Sequence, residues 1–242
     1  MKLLIIIFLI LVAIYLVYGH PIRRAIKVSK TIEENSLAYE QNPKDAVKNI
    51  LVLGDSTAVG TGASKPEDSI AGRLGKDFPN ATIKNISKNG LKIMELSNII
   101  KDLPESDEKY DLLIIQIGAN DITFFSSKKE IKDNLDSVLE FANENSNKTL
   151  ILTSGDIGSS PVFKFPVSYI YTKRTRNIQS IFREKIKNYD SVSYVDLFTK
   201  ENNDLFNNQP QKYYAKDFFH PSSDGYGVWY NSTKSHLVSQ IY

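Results

Sequence analysis

"NILVLGDSTAVG", residues 49–60, runs four apolar residues, Ile50 to Leu53, straight into Gly54-Asp55-Ser56. A short continuous apolar run closed by a polar, glycine-containing turn reads as a strand buried on both faces, and such strands belong to parallel sheets covered by helices. The turn has two readings. Either it only connects a strand to a helix, or it displays the Ser56 hydroxyl for chemistry. The rest of the chain has to decide.

Four more β-rich apolar runs follow: "ATIKNI" at 81–86, "LLIIQI" at 112–117, "TLILTS" at 149–154 and "SVSYVD" at 191–196. Helical periodicity fills the gaps at 69–77, 91–102, 128–145 and 169–188, with a last helix from 222 to the C-terminus. Strand-helix alternation of this kind predicts an α/β domain with a parallel five-stranded sheet joined by right-handed crossovers. In open α/β sheets the ligand site lies beyond the C-terminal strand ends, near the point where the winding reverses. Four loops are therefore expected to converge: Gly54-Asp55-Ser56 after the first strand, Asn89-Gly90 after the second, Gly118 to Asp121 after the third, and the segment with Asp217 and His220 after the fifth.

Size and composition narrow the class. A chain of 242 residues accommodates one α/β domain of about 200 residues plus an appendage. Apolar content of 41% and charged content of 24% exclude wholesale disorder. The chain has no cysteine, which removes disulfides, thiolate nucleophiles and cysteine-based zinc sites together. His20, His220 and His236 are too scattered for an HExxH-type site, so neither metal nor cofactor is expected. The net charge of +2 is unevenly spread: residues 1–30 carry Lys2, Arg23, Arg24, Lys27 and Lys30 and no acid, leaving 25 basic against 28 acidic residues, or −3, elsewhere. A nucleic-acid reader normally carries a basic patch on its folded domain, so nucleic acid is not an expected partner.

"LLIIIFLILVAIYLVY", residues 3–18, is an unbroken apolar run of sixteen residues containing two tyrosines suited to a membrane interface. As a helix it spans about 24 Å, slightly short of a hydrocarbon layer of about 30 Å. Three readings stand: a retained transmembrane anchor, which the length favours, a cleaved signal peptide with Lys2 as its charged start, and a buried hydrophobic helix. The expected organisation is an anchor at 1–19, a juxtamembrane linker at 20–48 and a catalytic-size domain at 49–242. Positive charge after the run would keep that domain cytoplasmic, with extracellular placement left open.

"DFFHPSSDGYGVW", residues 217–229, is the second informative stretch. A histidine works as a general base when a carboxylate holds it in one tautomer, and Asp217 and His220, three apart on a tight loop, can face each other. Each piece alone has an ordinary meaning: a strand-helix turn at Ser56, a turn glycine at Gly90, a turn-closing amide at Asn120, a surface histidine beside a capping acid at His220. Their joint placement at strand ends changes that assessment.

With "GDST" carrying Ser56, "SKNG" carrying Gly90, "GAND" carrying Asn120 and "DFFHP" carrying Asp217 and His220, in this chain order, the sequence resembles the SGNH, or GDSL, hydrolase family. Thr57 stands where the family's common name implies leucine. The resemblance, which runs from residue 49 to about the C-terminus, implies a three-layer α/β/α flavodoxin-like SGNH-hydrolase fold. It also implies Ser56 as nucleophile, His220 as its base and Asp217 as the residue orienting the ring. An oxyanion hole would come from the backbone N–H groups of Ser56 and Gly90 and the Asn120 carboxamide. Asp55 and Asp121 are read as structural, His236 as a solvated surface residue, and Tyr226, Trp229 and Tyr230 as the packing face of the last helix.

These expectations describe a membrane-tethered, monomeric serine esterase whose substrate is a small-molecule or lipid ester, a lysophospholipid first. A carbohydrate O-acetylesterase, an acyltransferase and, less favoured, a non-catalytic binding protein are the alternatives. Residues 154–174 mix small residues with Val162, Phe163, Phe165, Tyr169 and Tyr171, and are expected to wall an acyl pocket, form a lid or pack on the membrane.

Overall fold

The computed structural model describes residues 2–103 and 108–241. Its five strands are β1 Lys48–Gly54, β2 Ala81–Asn85, β3 Leu112–Gln116, β4 Thr149–Leu152 and β5 Val192–Val195. All neighbouring pairs are parallel, in the order β2-β1-β3-β4-β5. The N-terminal helix comprises α1 Lys2–Ile14, a π-helical turn at Tyr15–Gly19 and α2 His20–Glu34. α3 Ser56–Val59 and α4 Ile70–Asp77 follow β1, α5 Ile93–Lys101 follows β2, and α6 Ala119–Thr123 and α7 Lys128–Asn145 follow β3. α8 Val167–Ile186 follows β4, and α9 Lys200–Asn208, α10 Pro210–Tyr213 and α11 Ser223–Ile241 follow β5. The expected run of the last helix to the C-terminus lies, at residue 242, outside the described residues.

β1 shows why three layers form. Its side chains alternate between faces, so Leu51 and Leu53 join a core with Ile93, Leu135 and Phe182, while Ile50 and Val52 join another with Leu74, Tyr226 and Trp229. Both faces of the strand are apolar because both are covered. Side chains then set where helices start: Ser69, Ser127 and Thr199 accept hydrogen bonds from Gly72, Glu130 and Asn202 at the entrances to α4, α7 and α9. α5 begins at Ile93, two residues later than the periodicity suggests, because Lys92 is extended and its N–H donates to the Glu95 carboxylate.

The chain leaves β1 for β2 on one side and returns to β3 on the other, which places the winding reversal at the C-terminal ends of β1 and β3. Gly54 makes the close approach there possible. Its φ is +149°, and a Cβ on it would lie 1.9 Å from the Gln116 carbonyl oxygen. The Asp55 N–H donates to that same oxygen at 2.9 Å, tying the Ser56 turn to the end of β3.

Among the described residues, the N-terminal helix is the one long and apolar enough to cross a membrane. No side chain of α1 is buried, so the reading of this run as a buried core helix does not hold. α2 is different. Pro21, Ile22, Ala25, Val28, Ser29 and Ile32 are half-buried at helical spacing, whereas Arg23, Arg24, Lys27 and Lys30 face outward. After α2 the chain docks on the free edge of β2: Gln41 exchanges backbone hydrogen bonds with Ile83, and its side-chain amide donates to the carbonyls of Phe78 and Ala81.

Candidate active site

The Ser56 turn is built by Asp55. Its carboxylate accepts from the Thr57 N–H at 2.9 Å and the Thr57 hydroxyl at 2.7 Å, capping the single turn α3 and fixing Ser56 at its first position. The threonine that departs from the family's motif thus supplies a second bond to the cap. Complete burial pushes Asp55 up to about 6, against the pull of the Thr57 hydrogen bonds and of His220.

The loop before α11 supplies the other two groups. Asp217 accepts from the N–H groups of Phe219 and His220 through Oδ1, at 2.9 and 3.0 Å, which folds the four-residue turn back on itself. Phe218 takes up a left-handed φ of 55° inside that turn. The other oxygen, Oδ2, then meets His220 Nδ1 at 2.6 Å, and His220 Nε2 meets Ser56 Oγ at 2.9 Å. Residues 164 positions apart are in hydrogen-bonding contact. Ser56, Asp217 and His220 are 6%, 2% and 3% exposed, so the relay is shielded from bulk water. Burial raises the Asp217 pKa, but the His220 hydrogen bond and charge and the two amides outweigh it and leave the carboxyl below its ordinary value. With Asp217 ionised, Nδ1–H is the donor to it, and Nε2 is free to accept from the Ser56 hydroxyl.

Asn120 and Gly90 are placed less symmetrically. Asn120 is half-buried in α6, donates through Nδ2 to the Leu91 carbonyl at 3.0 Å, and lines a cavity of about 40 Å³ together with Ser56, Ala119, Ser154, Phe219 and His220. Gly90, with φ +78°, lies outside that lining, is exposed, and has open space where a Cβ would sit. The structure therefore brings Ser56, Asp217, His220 and Asn120 to one cavity and holds Gly90 at a neighbouring open turn. Asn89 secures that turn by accepting from the Thr61 hydroxyl at 2.7 Å. Asp121 accepts from the Ile93 N–H at 3.0 Å and so joins α6 to the start of α5. Tyr226, Trp229 and Tyr230 are buried in the core as expected, and Trp229 also lines the cavity. His236 is half-buried on α11 rather than fully solvated, with Nδ1 3.1 Å from the Ser232 carbonyl.

Two features escape the sequence. Another wall of the cavity comes from Asn202, Asn203, Phe206 and Tyr214, in a polar stretch whose apolar cues are Leu205-Phe206 and Tyr213-Tyr214. Above the relay lies α2: Ser29 Oγ is 3.5 Å from His220 Nδ1, and the Glu33 carbonyl accepts from the Asn89 side chain at 3.2 Å. No local pattern in α2 announces that position.

A buried Ser-His-Asp relay at the switch point of a parallel α/β sheet, in the chain order serine, glycine, asparagine, histidine, defines an SGNH-type hydrolase. The family profile of GDSL-like Lipase/Acylhydrolase matches residues 52–228, and the chain belongs to that family of enzymes acting on esters. No curated protein matches it. Among solved structures it is similar to the lipase Lip_vut3 from a goat rumen metagenome, with 18% identity, a TM-score of 0.58, and 78% of this chain and 97% of that one covered. It is also similar to the acetyl xylan esterase Axe2 from Geobacillus stearothermophilus, with 19% identity, a TM-score of 0.54, and 78% and 94% covered. A salicylyl-acyltransferase from a tetracycline biosynthetic pathway aligns at 16% identity and a TM-score of 0.54, with 82% of this chain and 56% of that one covered. At these identities the structural likeness speaks for the fold.

Proposed function

We propose that the chain is a membrane-tethered serine esterase that cleaves carboxylic esters of lipids through an acyl-enzyme on Ser56. The observation that carries the chemistry is the unbroken contact from Ser56 Oγ through His220 to Asp217, at 2.9 and 2.6 Å. His220 Nε2 takes the Ser56 proton as Oγ attacks the ester carbonyl, and Asp217 stabilises the imidazolium that forms. The Ser56 N–H and the Asn120 amide receive the negative oxygen of the tetrahedral intermediate, and the Gly90 N–H joins them when its open turn moves in toward the cavity. His220 then gives the proton to the departing alcohol. Water gives a proton to the same nitrogen as it attacks the acyl carbonyl, the C–O bond to Ser56 breaks as His220 returns that proton to Oγ, and the acid leaves.

The tether and the substrate rest on other observations. The bare apolar helix α1 supports a membrane-held enzyme, and a membrane places lipid esters within reach. A second reading, a carbohydrate or small-molecule acetylesterase, is favoured by one fact: the cavity beside Ser56 is small, about 40 Å³, which suits a short acyl group better than a long one.

A fluorophosphonate probe and a panel of p-nitrophenyl esters graded from acetyl to palmitoyl, applied to the detergent-solubilised full chain, test both parts. Labelling of the native chain but not of Ser56→Ala is expected, as is turnover that rises with acyl length. Equal labelling of Ser56→Ala would remove the nucleophile assignment, and turnover confined to acetyl would replace lipids with acetyl esters.

A further inference from the structure

One surface beside the N-terminal helix is left unused by the ester chemistry. Phe165, Tyr169 and Ile170, just before and within the first turn of α8, are 75%, 61% and 47% exposed. They lie beside the end of the apolar run, where the Tyr18 hydroxyl donates to the Phe165 carbonyl at 2.8 Å. The patch is therefore level with the last turn of residues 3–18. That run spans about 24 Å, roughly 6 Å less than a hydrocarbon layer of about 30 Å. With Lys2 at the far boundary, the near edge of the hydrocarbon falls about one helical turn past Tyr18, at or beyond the level of Phe165.

The exposed charges on the segment that carries the patch, and on the first turns of α2, have one sign. No acidic residue occurs between Asp156 and Glu184, where Lys164, Lys173 and Arg176 are exposed, and Arg23 and Arg24 project from the first turns of α2. Aromatic rings and cations together are the composition of a surface that meets anionic headgroups. Behind the patch, ring contacts run inward from Tyr171 to Phe163 at 4.4 Å, to Phe219 at 6.4 Å and to His220 at 5.5 Å.

We propose that Phe165, Tyr169 and Ile170 form a second membrane contact, seated in the headgroup and outer acyl region of an anionic leaflet beside the point where α1 enters it. This rests on the membrane-tether reading above. Such a contact removes the freedom of a domain held by one helix alone, and turns the loops that carry His220 toward the lipid phase.

The absence of cysteine allows a direct test in the full chain. Single variants Phe165→Cys and Tyr169→Cys, labelled with an environment-sensitive nitrobenzoxadiazole and reconstituted into phosphatidylcholine–phosphatidylglycerol vesicles, are read for quenching by shallow doxyl lipid and, in parallel samples, by doxyl lipid labelled near the acyl-chain end. Leu9→Cys reports the span, and Lys84→Cys, exposed on β2, reports solvent. The expected result is blue-shifted, strongly quenched emission at 165 and 169, deep quenching at 9 and none at 84, with weaker quenching at 165 in phosphatidylcholine alone. Quenching at 9 with water-like emission at 165 and 169 would overturn the second contact while leaving the span in place. No quenching at 9 would remove the tether, and the second contact with it. Equal quenching at 165 in both lipids would overturn the anionic preference.

Discussion

The catalytic edge of the sheet and the helix that lies over it are held in opposite ways. At the edge, the two carboxylates are fixed several times over: Asp217 takes three hydrogen bonds, Asp55 ties down the Ser56 turn through Thr57, and all of these residues are buried. α2 buries no residue fully and meets that edge through single contacts of Ser29 and Glu33. Energetically, a buried polar network loses heavily when one member is removed, because its partners are left unpaired, whereas a half-exposed contact loses little. On the function proposed above, the difference separates what performs the reaction from what positions the domain, and it can be broken at several points.

The largest effect belongs to the relay. Asp217→Asn keeps the shape but presents an amide to Nδ1, which favours the wrong histidine tautomer. A fall in kcat of about 10⁴-fold at neutral pH is expected, by analogy with other Ser-His-Asp sites. A fall below tenfold in p-nitrophenyl butyrate hydrolysis would mean that Asp217 does not orient His220. Next comes Asn120→Ala, which removes one oxyanion donor and is expected to cost about 10² to 10³ in kcat with KM little changed. Loss expressed in KM alone would assign Asn120 to ground-state binding.

The two buried aspartates also predict opposite pH behaviour in stability. Asp55 is raised to about 6 when folded, so its contribution is fully present below the unfolded value and lost as pH rises through about 6. The full shift corresponds to a penalty on the order of 3 kcal/mol at neutral pH. Asp217 is lowered, so its contribution is present above the unfolded value and lost as pH falls through the folded one. Asp55→Asn, which can still accept from Thr57, is expected to flatten the stability curve between pH 4 and 6. Asp217→Asn is expected to remove stability mainly above pH 4. Urea midpoints across that range check both, and an unchanged slope in Asp55→Asn would show that Asp55 is not the titrating group.

The same contrast governs what the sequence makes legible. The strands are readable because a sheet covered on both faces demands continuous apolar runs, and Ile50 to Leu53 or Leu112 to Ile117 can satisfy little else. α7, with eighteen residues of clear periodicity and a serine cap, is readable to the residue. The single turns α3, α6 and α10 are not, since four or five residues cannot display a period of 3.6. α9 escapes because its sequence, Lys200 to Asn208, is polar apart from two residues. Ser56, Asp217 and His220 are legible only as a set, because each turn alone has an ordinary meaning and it is their order and placement at strand ends that carry the resemblance. The proximity of Ser29 to His220 spans 191 positions and depends on how a whole helix docks, so no motif encodes it.

That last contact offers the finest discrimination between the two regions. Ser29 Oγ already donates to Glu33 Oε1 at 3.0 Å, and His220 Nδ1 is engaged by Asp217, so the 3.5 Å approach adds little to either. Ser29→Ala is therefore expected to change kcat/KM by less than about twofold and stability by no more than about 0.5 kcal/mol, as for a substitution outside a buried network. A tenfold loss of kcat with an altered pH profile would instead place α2 inside the reaction machinery. Truncation of the N-terminal helix would then disable the enzyme rather than only remove the proposed tether.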